Sequence, residues 1–226
     1  MALSFHYKGS LKEASLLSDL IFEIEDICDT LRWKVKVFEN SFPDNQFTET
    51  QNDKDYGIIL TPPLCEPVSF VFDSTGKICN PMLKDILSKE GGNKEIKVIT
   101  VQLDLNDDNP EPVISENNKD FNLEDIIHQV SIKNYSKKST DYVQLLELIR
   151  YLSNKFLKDF SLTDEFGYWN SGDIHKLTKK MDSAQCLMDS FQQKLSEKSF
   201  SNPEEFIDFL KQLGTILKKS IKDEEE

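Results

Sequence analysis

Leu31-Arg32-Trp33-Lys34-Val35-Lys36-Val37 alternates apolar and basic side chains one by one. Successive side chains of an extended chain point to opposite faces, so this period predicts a half-buried strand with Leu31, Trp33, Val35 and Val37 inward and Arg32, Lys34 and Lys36 in water. Just upstream the period changes. Leu17, Leu20, Ile21, Ile24, Cys28 and Leu31 recur every three or four residues, which places them on one face of a helix and makes Cys28 a core residue. Ser10-Leu11-Lys12-Glu13 has the spacing of a capping box, in which serine and glutamate satisfy each other's free N–H groups, and predicts the helix start.

Downstream, Tyr56 to Thr61, Pro67 to Asp73 and Lys77 to Asn80 read as further strands, the last two joined through Ser74-Thr75-Gly76 as an antiparallel hairpin. Asn80-Pro81 predicts a helix start, with a capping amide ahead of a proline whose missing N–H costs nothing in the first turn, and Gly91-Gly92 predicts its end. Ile96 to Leu103 is apolar on both faces and reads as a central strand, followed by a long polar loop from Asp104 to Asn122. Helices are expected from Thr140 to Phe160, from Asp173 to Ser196 and after Asn202-Pro203, the last with an apolar stripe including Phe206, Phe209 and Leu213. This order predicts an α+β fold, an antiparallel sheet backed by helices with a helical C-terminal extension. Residues 1–160 would form the α+β domain, with residues 161–226 packed on it or merged with it into one domain.

The 226 residues carry 40 acidic and 27 basic side chains, a net charge of −13 spread along the chain. That field repels phosphate backbones, and only Arg32 and Arg150 offer a guanidinium for bidentate phosphate binding, so neither nucleic acid nor an anionic membrane is an expected partner. The apolar runs are far shorter than the roughly 20 residues a membrane helix needs, and Met1 to Lys8 lacks the pattern of a secretion signal. Four scattered cysteines without a CxxC pair are expected to be reduced thiols, which points to a cytoplasmic protein.

Candidate sites are sparse. Asp104-Leu105-Asn106-Asp107-Asp108 begins like a calcium loop, but Asn109 stands where the turn glycine belongs and Ser115 where the bidentate glutamate belongs, so no metal site is expected. Cys65 and Glu66 lie in Thr61-Pro62-Pro63-Leu64-Cys65-Glu66-Pro67, a stiff link able to hold a reactive group, yet no histidine spacing supplies Cys65 with a base. His175 has Lys179 one turn on, which does not make a zinc pair. Phe166-Gly167-Tyr168-Trp169-Asn170-Ser171-Gly172-Asp173 gathers three aromatics before a helix; it is either a binding loop anchored by Tyr168 and Trp169 with Asp173, or a plug that closes the core with Asp173 or Ser171 capping the helix. The candidate binding residues are therefore Tyr168, Trp169, Asp173 and Glu66, with no catalytic residue and no cofactor assigned. The dinucleotide, P-loop, HExxH and GxSxG patterns are missing from the chain.

Acidity without a catalytic motif leads to the expectation of a non-enzymatic interaction module that binds a basic protein, such as a basic effector or toxin. Two alternatives stay open: a hydrolase with a carboxylate-lined cleft, and a structural homo-oligomer built through the C-terminal helices.

Overall fold

The computed structural model describes residues 3–49, 52–89, 100–102, 113–115 and 126–197. The chain falls into two compact units, Met1–Glu95 with Asp120–Thr178, and Ile96–Lys119 with Lys179–Glu226. The architecture is α+β with antiparallel sheets and helices.

In the first unit β1 (Leu3–Leu11) lies between β7 (Val130–Asn134) and β8 (Leu157–Asp164), antiparallel to both. Leu3, Phe5 and Tyr7 are buried with Val130, Ile132 and Leu162, and Phe5 meets Tyr142 of α3 (Ser139–Phe156) edge to face. The pairing of β1 with β8 slips between Lys8 and Ser10, a bulge opposite Asp159, whose φ of 52° is left-handed. A second sheet has the order β2 (Lys34–Val37), β3 (Tyr56–Thr61), β4 (Val68–Phe72), all antiparallel. Helix α1 (Leu17–Leu31) packs on β3 with Leu17, Leu20, Ile21, Ile24 and Cys28 buried, as the helical period requires.

Residues 76–79 stitch the two sheets. Asp73 N donates to Lys77 O and Cys79 N to Val71 O on the β4 side, while Ile78 N donates to Gly9 O and Leu11 N to Gly76 O on the β1 side. The expected hairpin is thus present, with Gly76 at φ 84° in its turn and Asp73 Oδ1 accepting from Thr75 N, Thr75 Oγ1 and Lys77 N. The start of α2 (Pro81–Lys89) is as read, with Asn80 Oδ1 accepting from Met82 N and Leu83 N.

Several expectations are corrected. Ser10 does not cap a helix; it lies within β1, which runs to Leu11, a short 3-10 turn follows at Ala14–Leu16, and α1 begins at Leu17 without a side-chain cap. The strand read from Leu31 is confined to Lys34–Val37, because Arg32 takes a left-handed φ of 57° that terminates α1. It is exposed rather than half-buried: Val35 and Val37 each keep 37% of their surface in water, since β2 is an edge strand. The helix expected to reach Phe160 stops at Phe156, and the chain turns into β8 to pair with β1.

In the second unit β5 (Thr100–Gln102) pairs with β6 (Val113–Ser115), so among the described residues the expected central strand is half of a two-stranded sheet whose mate lies in the stretch read as polar loop. The four-residue helix α4 (Tyr168–Ser171) belongs to the first unit, and α5 (Ile174–Glu197) begins there and runs on into the second from Lys179. The calcium-like segment Asp104–Asp108, the Gly91-Gly92 helix end and the helix after Asn202-Pro203 lie outside the described residues.

Candidate functional site

A cleft of about 1120 Å³ opens between the face of the second sheet turned away from α1 and the outer edge of β7, with α2 along one side. Every described lining residue belongs to the first compact unit. Pairing fixes its floor: Lys36 faces Ile59 and Ile59 faces Ser69, so these three side chains form one row across β2, β3 and β4, and all three line the cleft.

Ser69 is central to the geometry. Its backbone points outward from β4, where no strand lies alongside among the described residues; instead the Tyr7 hydroxyl donates to Ser69 O at 2.7 Å and accepts from Ser69 N at 2.9 Å. One phenol therefore replaces a strand partner at this edge. Burial pushes the Tyr7 hydroxyl far above the usual tyrosine range, which keeps it protonated and able to donate. The Ser69 hydroxyl itself, in a residue only 5% exposed, has no hydrogen-bond partner among the described residues.

The charged lining is mostly acidic, with Asp53, Asp55, Glu66 and Asp85 against Lys36 and Lys84. Lys84 is held by Asp55 at 2.9 Å and by Lys54 O at 2.8 Å, and the Lys36 ammonium sits 4.7 Å over the Phe38 ring. Glu66 clamps the β3–β4 link to β7: its N donates to Lys133 O, its Oε2 accepts from Lys133 N at 2.8 Å, and its Oε1 accepts from the Tyr135 hydroxyl at 3.2 Å. Burial and the neighbouring Glu66 raise the Tyr135 phenol. Leu64 takes a left-handed φ of 54° in the same link, and Tyr135 N donates to Leu64 O.

Glu66 is the one sequence-selected residue that lines this cleft. Cys65 beside it is half-buried, and burial pushes its thiol up to about 12 despite a hydrogen bond from Asn134, so it stays protonated and unreactive at neutral pH. The other three selected residues lie in the segment after β8. Tyr168 is buried, and its hydroxyl donates to Glu147 Oε1 at 3.1 Å; burial first, and then this bond, raises its pKa. Asp164 accepts from both Tyr168 N and Trp169 N at 2.9 Å. Trp169 is half-buried, lies under the Arg150 guanidinium at 4.5 Å and gives its carbonyl to Arg150 at 2.8 Å. Asp173 accepts from Lys176 N at 2.9 Å at the start of α5. Each of these contacts ties the segment to α3, to β8 or to its own helix start.

Sequence reading passed over Ser69, Ser131 and Tyr7. A lone serine in an apolar strand, Val68-Ser69-Phe70-Val71-Phe72, was the available signal for the first, because an uncompensated hydroxyl among buried residues is costly. His175 is exposed. All four cysteines are unpaired. Among the described residues no three His, Cys, Asp or Glu side chains gather as a metal-ligand set, and no described helix is long and apolar enough to cross a membrane.

No known protein family, curated protein or solved structure matches this chain.

Proposed function

We propose that the protein is a non-enzymatic interaction module that holds a basic partner polypeptide in the cleft between β4 and β7. The observation that carries this reading is the cleft itself: wide, open, and lined among the described residues by four carboxylates against two lysines, or three against one once the Asp55–Lys84 pair is set aside. The overall charge of −13 adds a long-range attraction for a basic partner, felt in the association rate.

A hydrolase would need a carboxylate free to exchange protons with a substrate. Here Asp55 is engaged by Lys84, and the Glu66 oxygens are engaged by Lys133 N and the Tyr135 hydroxyl. For Asp55 and Glu66 these bonds describe a scaffold role. Oligomerisation through the C-terminal helices would use α5, where Ile174 and Met188 are exposed, together with residues outside the described ones.

Binding of poly-lysine, followed by fluorescence anisotropy across a salt series, tests the proposal. Replacing Asp53 and Asp85 by asparagine should weaken binding several-fold, whereas replacing Asp26 and Asp29 on α1, which removes the same charge elsewhere, should weaken it far less. Equal losses from the two pairs would mean that the cleft is not where a basic partner is held.

A further inference from the structure

We propose that the cleft binds an extended segment of a partner polypeptide, whose backbone pairs with the outer edge of β7 at Ser131 while lysine or arginine side chains along it reach the carboxylates of Glu66 and Asp53. The inference rests on the interaction-module reading and adds how the partner is held.

The edge of β7 is defined by its bonds. Lys133 exchanges main-chain contacts with Glu66, donating to its carboxylate and accepting from its N–H, so the Lys133 backbone faces away from β1. Groups on one edge of a strand recur every second residue. The N–H and C=O of Ser131 therefore face the same way, on the wall of the cleft that Ser131 lines. Among the described residues none bonds them on that side. The strand edge beyond Lys133 is closed by Glu66; at Ser131 it is open.

Across the cleft stands the Ser69 hydroxyl, buried, without a partner among the described residues, and on the same sheet face as Ile59 and Lys36. A buried hydroxyl deprived of hydrogen bonds is stabilised by any polar group brought to it. An extended peptide supplies such groups along its length: N–H and C=O toward the β7 edge, alternate side chains toward Ile59 and Ile132, and polar atoms within reach of Ser69. The dimensions agree, since about 1120 Å³ exceeds the 300–1,000 Å³ typical of small-molecule pockets. The excess of carboxylates selects a basic side chain on the segment.

The test uses the full chain and a blocked hexapeptide of alternating lysine and valine, together with two versions in which the amides of one edge or of the other are N-methylated. Methylation removes donors and blocks strand pairing on one edge while leaving charge and side chains unchanged. Calorimetry should show binding of the parent peptide, a loss of about tenfold or more for one methylated phase, and near-parent affinity for the other. Ser131→Pro, tolerable on a strand edge, should remove the difference between the two phases. Ser69→Ala should weaken the parent peptide several-fold while leaving the unfolding midpoint unchanged or raised, because the lost hydroxyl makes no internal bond; a lowered midpoint would assign Ser69 to the fold and overturn its role here. If both methylated peptides bind as well as the parent, the pairing is overturned and a purely electrostatic interaction module stands. If no hexapeptide binds while poly-lysine does, the inference fails and the broader reading survives; if poly-lysine also fails to bind, both fall together.

Discussion

The two edges of the β2–β3–β4 sheet solve the same problem in opposite ways. An edge strand presents a row of unpaired N–H and C=O groups that invite other strands. At β2 the row is left in water, and Lys34 and Lys36 stand on an exposed strand as charges that discourage pairing. At β4 the row is buried and closed piecewise: residues 77–79 cover Val71 and Asp73, and the Tyr7 hydroxyl covers Ser69. The water-facing edge depends on side-chain charge, and the buried edge depends on hydrogen bonds borrowed from distant parts of the chain. That difference decides which substitutions unfold the protein and which only change its company.

The largest effect is expected from Tyr7→Phe. It keeps the ring among Phe5, Phe70 and Phe160 but leaves Ser69 N–H and C=O buried without a partner. Two orphaned backbone groups should cost about 3 kcal/mol, read as a lower urea midpoint at unchanged slope. A loss below about 1 kcal/mol would show that the buried edge does not depend on the phenol.

Alkaline titration separates the edges next. The Tyr7 hydroxyl is raised by burial, and burial, reinforced by Asp55, pushes the Cys79 thiol up to about 12. A group whose folded pKa lies above its unfolded value lends its full stability below the unfolded value and loses it as pH climbs toward the folded one. Stability should thus begin to fall above about pH 8.5, where an unfolded thiol ionises, with up to about 1.4 kcal/mol per pH unit from each such group. Cys79→Ala should flatten that slope in urea melts taken between about pH 9 and 12; an unchanged slope would remove Cys79 from the account.

The smallest thermodynamic change belongs to the water-facing edge. Replacing Lys34 and Lys36 together by threonine should alter stability by no more than about 0.5 kcal/mol, yet turn β2 into a pairing surface. Sedimentation velocity should then detect self-association beyond that of the unaltered chain. If the double variant sediments as the wild type does at equal concentration, β2 is protected by its shape and not by its lysines.

The legible parts of the fold were those written in local patterns. The stripe of α1 from Leu17 to Cys28, β3 at Tyr56–Thr61 and the Asn80 cap of α2 all sit where side-chain periods and capping chemistry place them. β8 was hidden because Phe156 and Phe160 are four apart, a helical spacing that continues the α3 stripe, and only pairing with β1 turns the chain out of the helix. β1 was hidden by Ser10 and Glu13, whose capping-box spacing drew the helix start six residues too early for the same kind of reason: a local signal that tertiary pairing overrides. Of the cleft, Glu66 was legible from its stiff three-proline link. Ser131 was not, since its role follows from which edge of β7 faces outward, and Tyr7 was not, since its partner Ser69 is 62 residues away.

The position of β1 also sets an order of events during synthesis. His6 pairs across to Ser131, 125 residues later, and Ser4 bonds to Glu165, 161 residues later. At roughly 5–20 residues per second, β1 emerges with Leu3, Phe5 and Tyr7 exposed and waits on the order of 6–25 s for its first strand partner. Residues 76–78, which bond Gly9 and Leu11, arrive sooner and give the waiting strand a provisional anchor against β4. If those bonds form as residues 76–78 emerge, the stitch between the sheets doubles as a holdfast that keeps the exposed strand attached to the growing fold until β7 and β8 are made.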